Sequence, residues 1–153
     1  MDDLAKFCKE LKQNFKPRIT DKSKLVSCWS EKDVLNGKVI DAFVIIFITR
    51  GCTWALNSGC SMCGYFNDSS FSKVTDTELL KQFENAMKRS NNERFVKIFT
   101  SGSFLDKSEV SIKVRDQILS KLAENTEKIS VESRPEYVNK DVLDHFPIGI
   151  LGK

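Results

Sequence analysis

Three cysteines stand within one twelve-residue stretch: Cys52, Cys60 and Cys63, separated by seven residues and then by two. Gly51, Gly59, Gly64 and several polar residues flank them, poor company for cysteines that act as small buried hydrophobes. Three soft thiolates on one loop suit an iron–sulfur cluster or zinc. A cubane cluster ordinarily takes one cysteine per iron, so three cysteines leave one iron open. An open metal position is where a substrate or cofactor binds. Structural zinc is the rival reading, and it needs a fourth ligand to complete a tetrahedron. Cys28 is one candidate; His145, the single histidine, is the other and lies far along the chain. Otherwise Cys8 and Cys28 read as buried packing residues.

The elements around this loop follow from hydrophobic periodicity. Residues 1–40 read as an N-terminal extension. In it Leu4, Phe7, Cys8, Leu11 and Phe15 recur at helical spacing, and Pro17 ends the helix. The stretch 21–38 is polar, with Val26, Trp29, Val34 and Leu35 as packing points and Asn36-Gly37 as a turn signal. Ala42 to Ile48 is continuously apolar and rich in β-branched and aromatic residues, the pattern of a strand buried on both faces of a parallel sheet.

The cysteine loop follows that strand. Thr75 and Glu78 then have capping-box spacing, ahead of a helical face of Leu79, Leu80, Phe83, Ala86 and Met87. Phe95 to Thr100 reads as a second strand, followed by Ser101-Gly102-Ser103. Asp106 and Glu109 are placed to cap a helix carrying Val110, Val114, Ile118 and Leu122, and Ile129 to Glu132 reads as a third strand. Arg134-Pro135 ends it, and Asn139 starts a last helix with Val142, Leu143 and Phe146.

Strands alternating with helices predict an α/β fold with a parallel sheet and right-handed crossovers. Folds of this kind carry their sites at the C-terminal ends of the strands. The cysteine loop, Ser101-Gly102-Ser103 and Glu132-Ser133-Arg134 are therefore expected on one edge.

Composition bounds the function. The chain has 153 residues, 41% hydrophobic and 29% charged, with 24 basic against 21 acidic side chains and a net charge of +3. Such a chain can build a core and is not of the disordered type. The mild positive charge permits a nucleic-acid partner without arguing for one. The longest apolar run is far below the roughly 18 residues of a membrane helix. The acidic start, Met1-Asp2-Asp3, lacks a signal-peptide pattern. Five cysteines, an odd number, fit reduced thiols in the cytosol better than a disulfide framework.

With those residues in view, the chain resembles the radical S-adenosylmethionine (SAM) superfamily, in which a cysteine loop follows the first strand of a βα repeat. The spacing within its loop is longer than that superfamily's usual three residues then two. The longer loop, with Gly51-Cys52, Gly59-Cys60 and Met62-Cys63-Gly64-Tyr65, looks like the archaeosine-biosynthesis branch, which is similar to the elongator-type enzymes. Phe66-Asn67-Asp68, Ser101-Gly102-Ser103-Phe104-Leu105-Asp106 and Val131-Glu132-Ser133-Arg134-Pro135-Glu136 resemble the same branch, so the likeness runs from about Trp29 to Asp144.

The resemblance implies a [4Fe-4S] cluster on Cys52, Cys60 and Cys63, with the open iron chelating the amino and carboxylate groups of SAM. It implies that Met62 and Tyr65, in the loop's tail, border the cofactor, Met62 through its backbone at the adenine. Ser101, Gly102 and Ser103 would meet the methionine amino group. Glu132 and Arg134 would meet SAM's charged end or pair with each other. The implied reaction is reductive cleavage of SAM to a 5′-deoxyadenosyl radical that takes hydrogen from substrate. The implied substrate is a tRNA base carrying a lysine adduct of 7-cyano-7-deazaguanine. The implied partners are the lysine-transferring subunit of archaeosine synthase and an electron donor, with no membrane. The implied fold is a six-unit partial (βα) barrel resembling a TIM barrel. Residues 41–153 supply about three units of it, so the chain reads as an N-terminal half, a fragment or a chain completed by another. A different radical SAM reaction, or a non-enzymatic zinc or iron–sulfur module, stands as the alternative.

Overall fold

The computed structural model describes residues 3–14, 16, 18, 21–58, 60 and 64–146. It begins with helix α1 (Asp3–Gln13), followed by a hairpin of β1 (Ser27–Leu35) and β2 (Lys38–Ile46). The short helix α2 (Thr53–Ser58) and a 3-10 turn at Gly64–Asp68 lie in the loop that follows. Helix α3 (Asp76–Met87), β3 (Phe95–Phe99), α4 (Ile112–Ala123) and β4 (Lys128–Val131) complete the repeat. A 3-10 turn at Pro135–Tyr137 leads into the short helix α5 (Lys140–Leu143).

The four strands form one sheet in the order β1-β2-β3-β4. The β2–β3 and β3–β4 pairs are parallel, with Ile45 opposite Ile98 and Ile98 opposite Val131. This is the α/β fold that the alternation predicts. Phe43, Ile45, Phe47, Val96 and Ile98 are buried in one cluster with Leu79, Phe83 and Ala86 of α3 and Val114, Ile118 and Leu122 of α4. Alternation along the strands sends Val44, Ile46, Lys97 and Phe99 to the opposite face.

The capping box is present as read. The Thr75 side chain accepts from Glu78 N, and the Glu78 carboxylate accepts from Thr75 N at 2.7 Å. At the hairpin, Asn36 and Gly37 both have positive φ, 51° and 75°, as a two-residue type I′ turn requires.

Three expectations are corrected. First, 21–38 is not merely a polar stretch with packing points, because Ser27–Leu35 forms an antiparallel edge strand. Its charges, which hide the strand from a hydrophobicity reading, are answered across the sheet. Lys97 reaches Glu31 at 2.6 Å and also pairs with Asp33, and Lys32 pairs with Asp41 at 2.8 Å. The bonds from Asp33 and Glu31 hold the Lys97 ammonium above its ordinary range. Second, β2 begins at Lys38 and ends at Ile46, earlier than the apolar run at both ends. The hairpin partner fixes its start, and Phe47 N still reaches Phe99 O at 3.0 Å beyond its end. Third, Asp106 and Glu109 do not cap α4: Ser111 does, accepting from Val114 N at 3.3 Å. The predicted N-terminal helix is present as α1, and Leu4, Phe7 and Leu11 of its apolar stripe are about half exposed. Phe15 and Pro17 lie outside the described residues.

Candidate metal and cofactor site at the C-terminal edge of the sheet

The cysteine loop leaves β2 through Phe47, Ile48 and Thr49, all fully buried. Ile48 lies past the end of the strand, and a side chain satisfies its backbone. Gln82 of α3, itself without solvent exposure, accepts from Ile48 N at 2.8 Å and donates to Ile48 O at 3.0 Å. The same amide nitrogen donates to Lys22 O at 2.7 Å. Gln82 thus stands in for a missing strand at the root of the loop. Gln82→Leu would leave two buried backbone groups unpaired. It is expected to cost about 2–4 kcal/mol, read as a lower urea midpoint.

Gly51 comes next, with φ of 97° and with Ser69 Oγ 2.7 Å from where a Cβ would sit. No other residue fits there without strain. Cys52 opens α2, its carbonyl accepting from Leu56 N at 3.1 Å. The carbonyl of Cys60 accepts from the Lys12 ammonium of α1, which also lies 4.8 Å over the Phe66 ring.

The structure brings the three post-strand segments together, as the edge rule requires. Phe104 N donates to Glu132 O at 3.0 Å, and Arg134 N donates to Ser103 Oγ at 2.9 Å. Arg134 then reaches across to the cysteine loop. Its Nη1 donates to Cys52 Sγ at 3.6 Å, and its Nη2 to Thr53 Oγ1 at 2.7 Å and Tyr137 Oη at 2.8 Å. Its ion-pair partner is Glu136 at 3.1 Å, not Glu132. Burial works against the guanidinium charge. The sulfur of Cys52, Tyr137 and Glu136 outweigh it, and Arg134 is held above its ordinary range.

The loop after β3 is tied from behind. Ser103 is fully buried, and its N–H donates to Glu109 Oε1 at 3.0 Å. The other oxygen of Glu109 accepts from Thr49 Oγ1 at 2.7 Å, at the root of the cysteine loop. Gly102 has no room for a side chain, since a Cβ would lie 2.0 Å from Glu109 Oε1. The Ser101 hydroxyl shares a hydrogen bond with Ser69 Oγ at 2.6 Å. Burial pushes the Glu109 carboxyl up to about 7, against the bonds from Thr49 and Ser103 and with Asp106 adding to the rise. Loss of hydration also raises the Glu132 carboxyl, against a backbone bond from Thr100.

On the sheet face away from α3 and α4 lies a cavity of about 270 Å³. Trp29, Val44, Ile46 and Phe99 give it apolar walls, and Tyr65 and Glu132 stand at its lining. Two expected cofactor residues therefore share one concavity at the strand ends, with Ser101 on the neighbouring loop.

Cys63 and Met62 lie outside the described residues. Cys52 and Cys60 are free and partly exposed. Thiols of this kind on one loop, one of them facing a guanidinium, fit a thiolate-bound soft metal. Among the described residues no three His, Cys, Asp or Glu side chains are grouped to hold an ion. Cys8 and Cys28 are partly exposed rather than buried. Cys28 pairs with Ile45, so it faces the helices, where Arg89 Nη1 lies 3.9 Å from its sulfur. His145 Nδ1 lies 2.6 Å from Asp141 O at the end of α5.

Sequence reasoning missed Gln82, Thr49, Thr53 and Tyr137. Gln82 carried a signal, a polar residue falling on the apolar stripe between Leu79 and Phe83; the others announce nothing locally.

No family model matches the chain, and no solved structure matches it. Among curated proteins it is 36% identical over 156 residues to an uncharacterised protein of Methanocaldococcus jannaschii, covering 95% of this chain and 43% of that one. It is 33% identical over 121 residues to the archaeosine synthase subunit beta of Thermococcus kodakarensis, covering 75% of this chain and 37% of that one. It is 37% identical over 142 residues to the archaeosine synthase subunit beta of Methanosarcina acetivorans, covering 90% of this chain and 41% of that one. The chain thus spans about two-fifths of the length of the curated relatives it matches, two of which are archaeosine synthase beta subunits.

Proposed function

We propose that this chain supplies the cluster-bearing part of an archaeosine synthase subunit beta and acts in tRNA modification by radical SAM chemistry. One observation carries the reading: a chain similar over 90% of its length to a protein of that name holds its cysteine loop at the C-terminal edge of the parallel strands β2, β3 and β4. In this reading Cys52, Cys60 and Cys63 hold a [4Fe-4S] cluster whose open iron takes SAM. When bound, that pair supplies one-electron cleavage of a sulfonium and hydrogen abstraction from substrate.

The chain's own residues bind and orient. Met62 meets the adenine through its backbone, and Tyr65 borders the cofactor. Ser101 and Glu132 serve SAM's amino end, while Gly102 and Ser103 shape the loop that presents Ser101. Arg134 holds the cysteine loop. Trp29, Val44, Ile46 and Phe99 keep water from the cavity. The substrate is a tRNA base bearing the lysine adduct of 7-cyano-7-deazaguanine, and the reaction is a carbon–nitrogen cleavage in the lysine part. The partners are the lysine-transferring subunit and an electron donor, all in the cytoplasm. No helix among the described residues is long and apolar enough to cross a membrane.

The test is anaerobic iron and sulfide analysis with EPR of the reduced protein, with and without SAM. Roughly four irons per chain, with a reduced-cluster signal that shifts when SAM is added, is the expected result. Bound zinc, or a cluster indifferent to SAM, would overturn the reading and leave a structural metal module.

A further inference from the structure

The guanidinium of Arg134 is unusually constrained for a partly exposed side chain. Its backbone N–H is fixed on Ser103 Oγ at 2.9 Å. Its Nη2 lies 2.7 Å from Thr53 Oγ1, 2.8 Å from Tyr137 Oη and 3.1 Å from Glu136 Oε1. The group sits 5.1 Å from the centre of the Tyr137 ring. Clamped on these sides, it directs Nη1 at Cys52 Sγ, 3.6 Å away. Its Nε is buried and has no hydrogen-bond partner among the described residues, which leaves one more N–H donor in the site. The task needs a planar fork, since one nitrogen anchors the group while another meets sulfur; a lysine ammonium offers no such division.

We propose that Arg134 is a positioning residue that donates to the Cys52 sulfur and thereby makes electron uptake at the site easier, instead of binding the charged end of SAM. The proposal rests on the reading of Cys52 as a cluster ligand. Hydrogen bonds and positive charge at ligand sulfurs stabilise the more negative, reduced state of an iron–sulfur centre. The step concerned is the uptake of one electron from a low-potential one-electron donor. No bond forms or breaks and no proton moves, so the site becomes more negative by one charge. Arg134 favours that state because its cation faces the sulfur from a side closed by Thr53 and Tyr137. The same clamp keeps the guanidinium from swinging toward the cavity, so Glu132 is left to meet the ligand there.

The experiment is a redox titration, followed by EPR, of the full chain reconstituted anaerobically with iron and sulfide, as wild type, Arg134→Met and Arg134→Lys. In Arg134→Met, with iron content equal to wild type, the equilibrium for electron uptake should weaken roughly tenfold, a fall of about 59 mV for a one-electron couple. Arg134→Lys keeps the charge but loses the fork, and its midpoint should lie between the two. If Arg134→Met does not fold, the fall in Arg134→Lys alone carries the test. An unchanged or higher midpoint in a fully loaded variant overturns the proposal. So does a folded variant that fails to load iron where wild type loads, because Arg134 would then act only on the shape of the loop. A wild-type chain that takes up no cluster overturns both this proposal and the functional reading beneath it.

Discussion

Cys52→Ala should reduce bound iron from roughly four per chain to under one and abolish the reduced-cluster EPR signal. On the proposed ligand set, loss of one of three ligands leaves two thiolates, and a cubane so held does not survive. The expected effect on folding is small. Cys52 is partly exposed and packs in no core cluster, so the change should cost less than about 1 kcal/mol. Iron content and thermal melting therefore separate the two roles. Cys8→Ala and Cys28→Ala serve as controls, since Cys8 lies on α1 and Cys28 faces the helices beside Arg89. Both should load iron like wild type. Retention of the cluster in Cys52→Ala, or its loss in Cys28→Ala, would mean that the ligand set has been drawn wrongly.

The second large effect is a dependence of stability on pH centred on Glu109. Burial raises its carboxyl from the ordinary 4.5 to about 7 in the folded chain. The folded state therefore holds this proton where the unfolded chain has already released it. Stability from this group is fully present below about 4.5, falls as pH rises through the window to about 7, and is flat above it. A shift of this size corresponds to roughly 3 kcal/mol. The lowered carboxyls, Asp33, Glu31 and Glu78 among them, act in the opposite sense and at more acid pH. Urea unfolding from pH 4.5 to 8 should thus show declining stability in wild type and a much flatter profile in Glu109→Gln. Equal slopes in the two proteins would remove Glu109 as the source. Glu132, raised in the same direction, would account for a small residual slope.

Much of the frame was legible because its signals are local. Thr75 and Glu78 sit three residues apart and bond each other, so spacing alone reveals them. Ala42 to Ile48 is apolar enough to mark a buried strand without its neighbours. The common edge followed from the order of elements and a rule about parallel sheets. What escaped depends on distant partners. Glu31 and Asp33 make β1 look like a loop until Lys97, more than sixty residues on, is seen against them. Asp106 and Glu109 have the spacing of a cap, but α4 starts later, at Ile112, and burial draws Glu109 toward Thr49 and Ser103. Within the site, the position of Cys52 was legible but the attachment of Arg134 to it was not. The sequence shows an arginine before a proline, and only the fold brings its Nη1 to a sulfur on another loop.

The hairpin has a consequence for the order in which the chain assembles. Asn36-Gly37 joins β1 and β2 with a two-residue loop, a closure that takes microseconds. Pairing β2 with β3 requires segment 47–94 to be closed first, and pairings between such distant strands are intrinsically slow. Cys52, Cys60 and Cys63 lie inside that slow segment. The loop that carries Cys52 and Cys60 is set at the sheet edge only after β3 docks and α3 brings Gln82 to Ile48. On the proposed cluster site, metal loading then follows folding and does not nucleate it, so chelators should leave the refolding rate of the sheet unchanged.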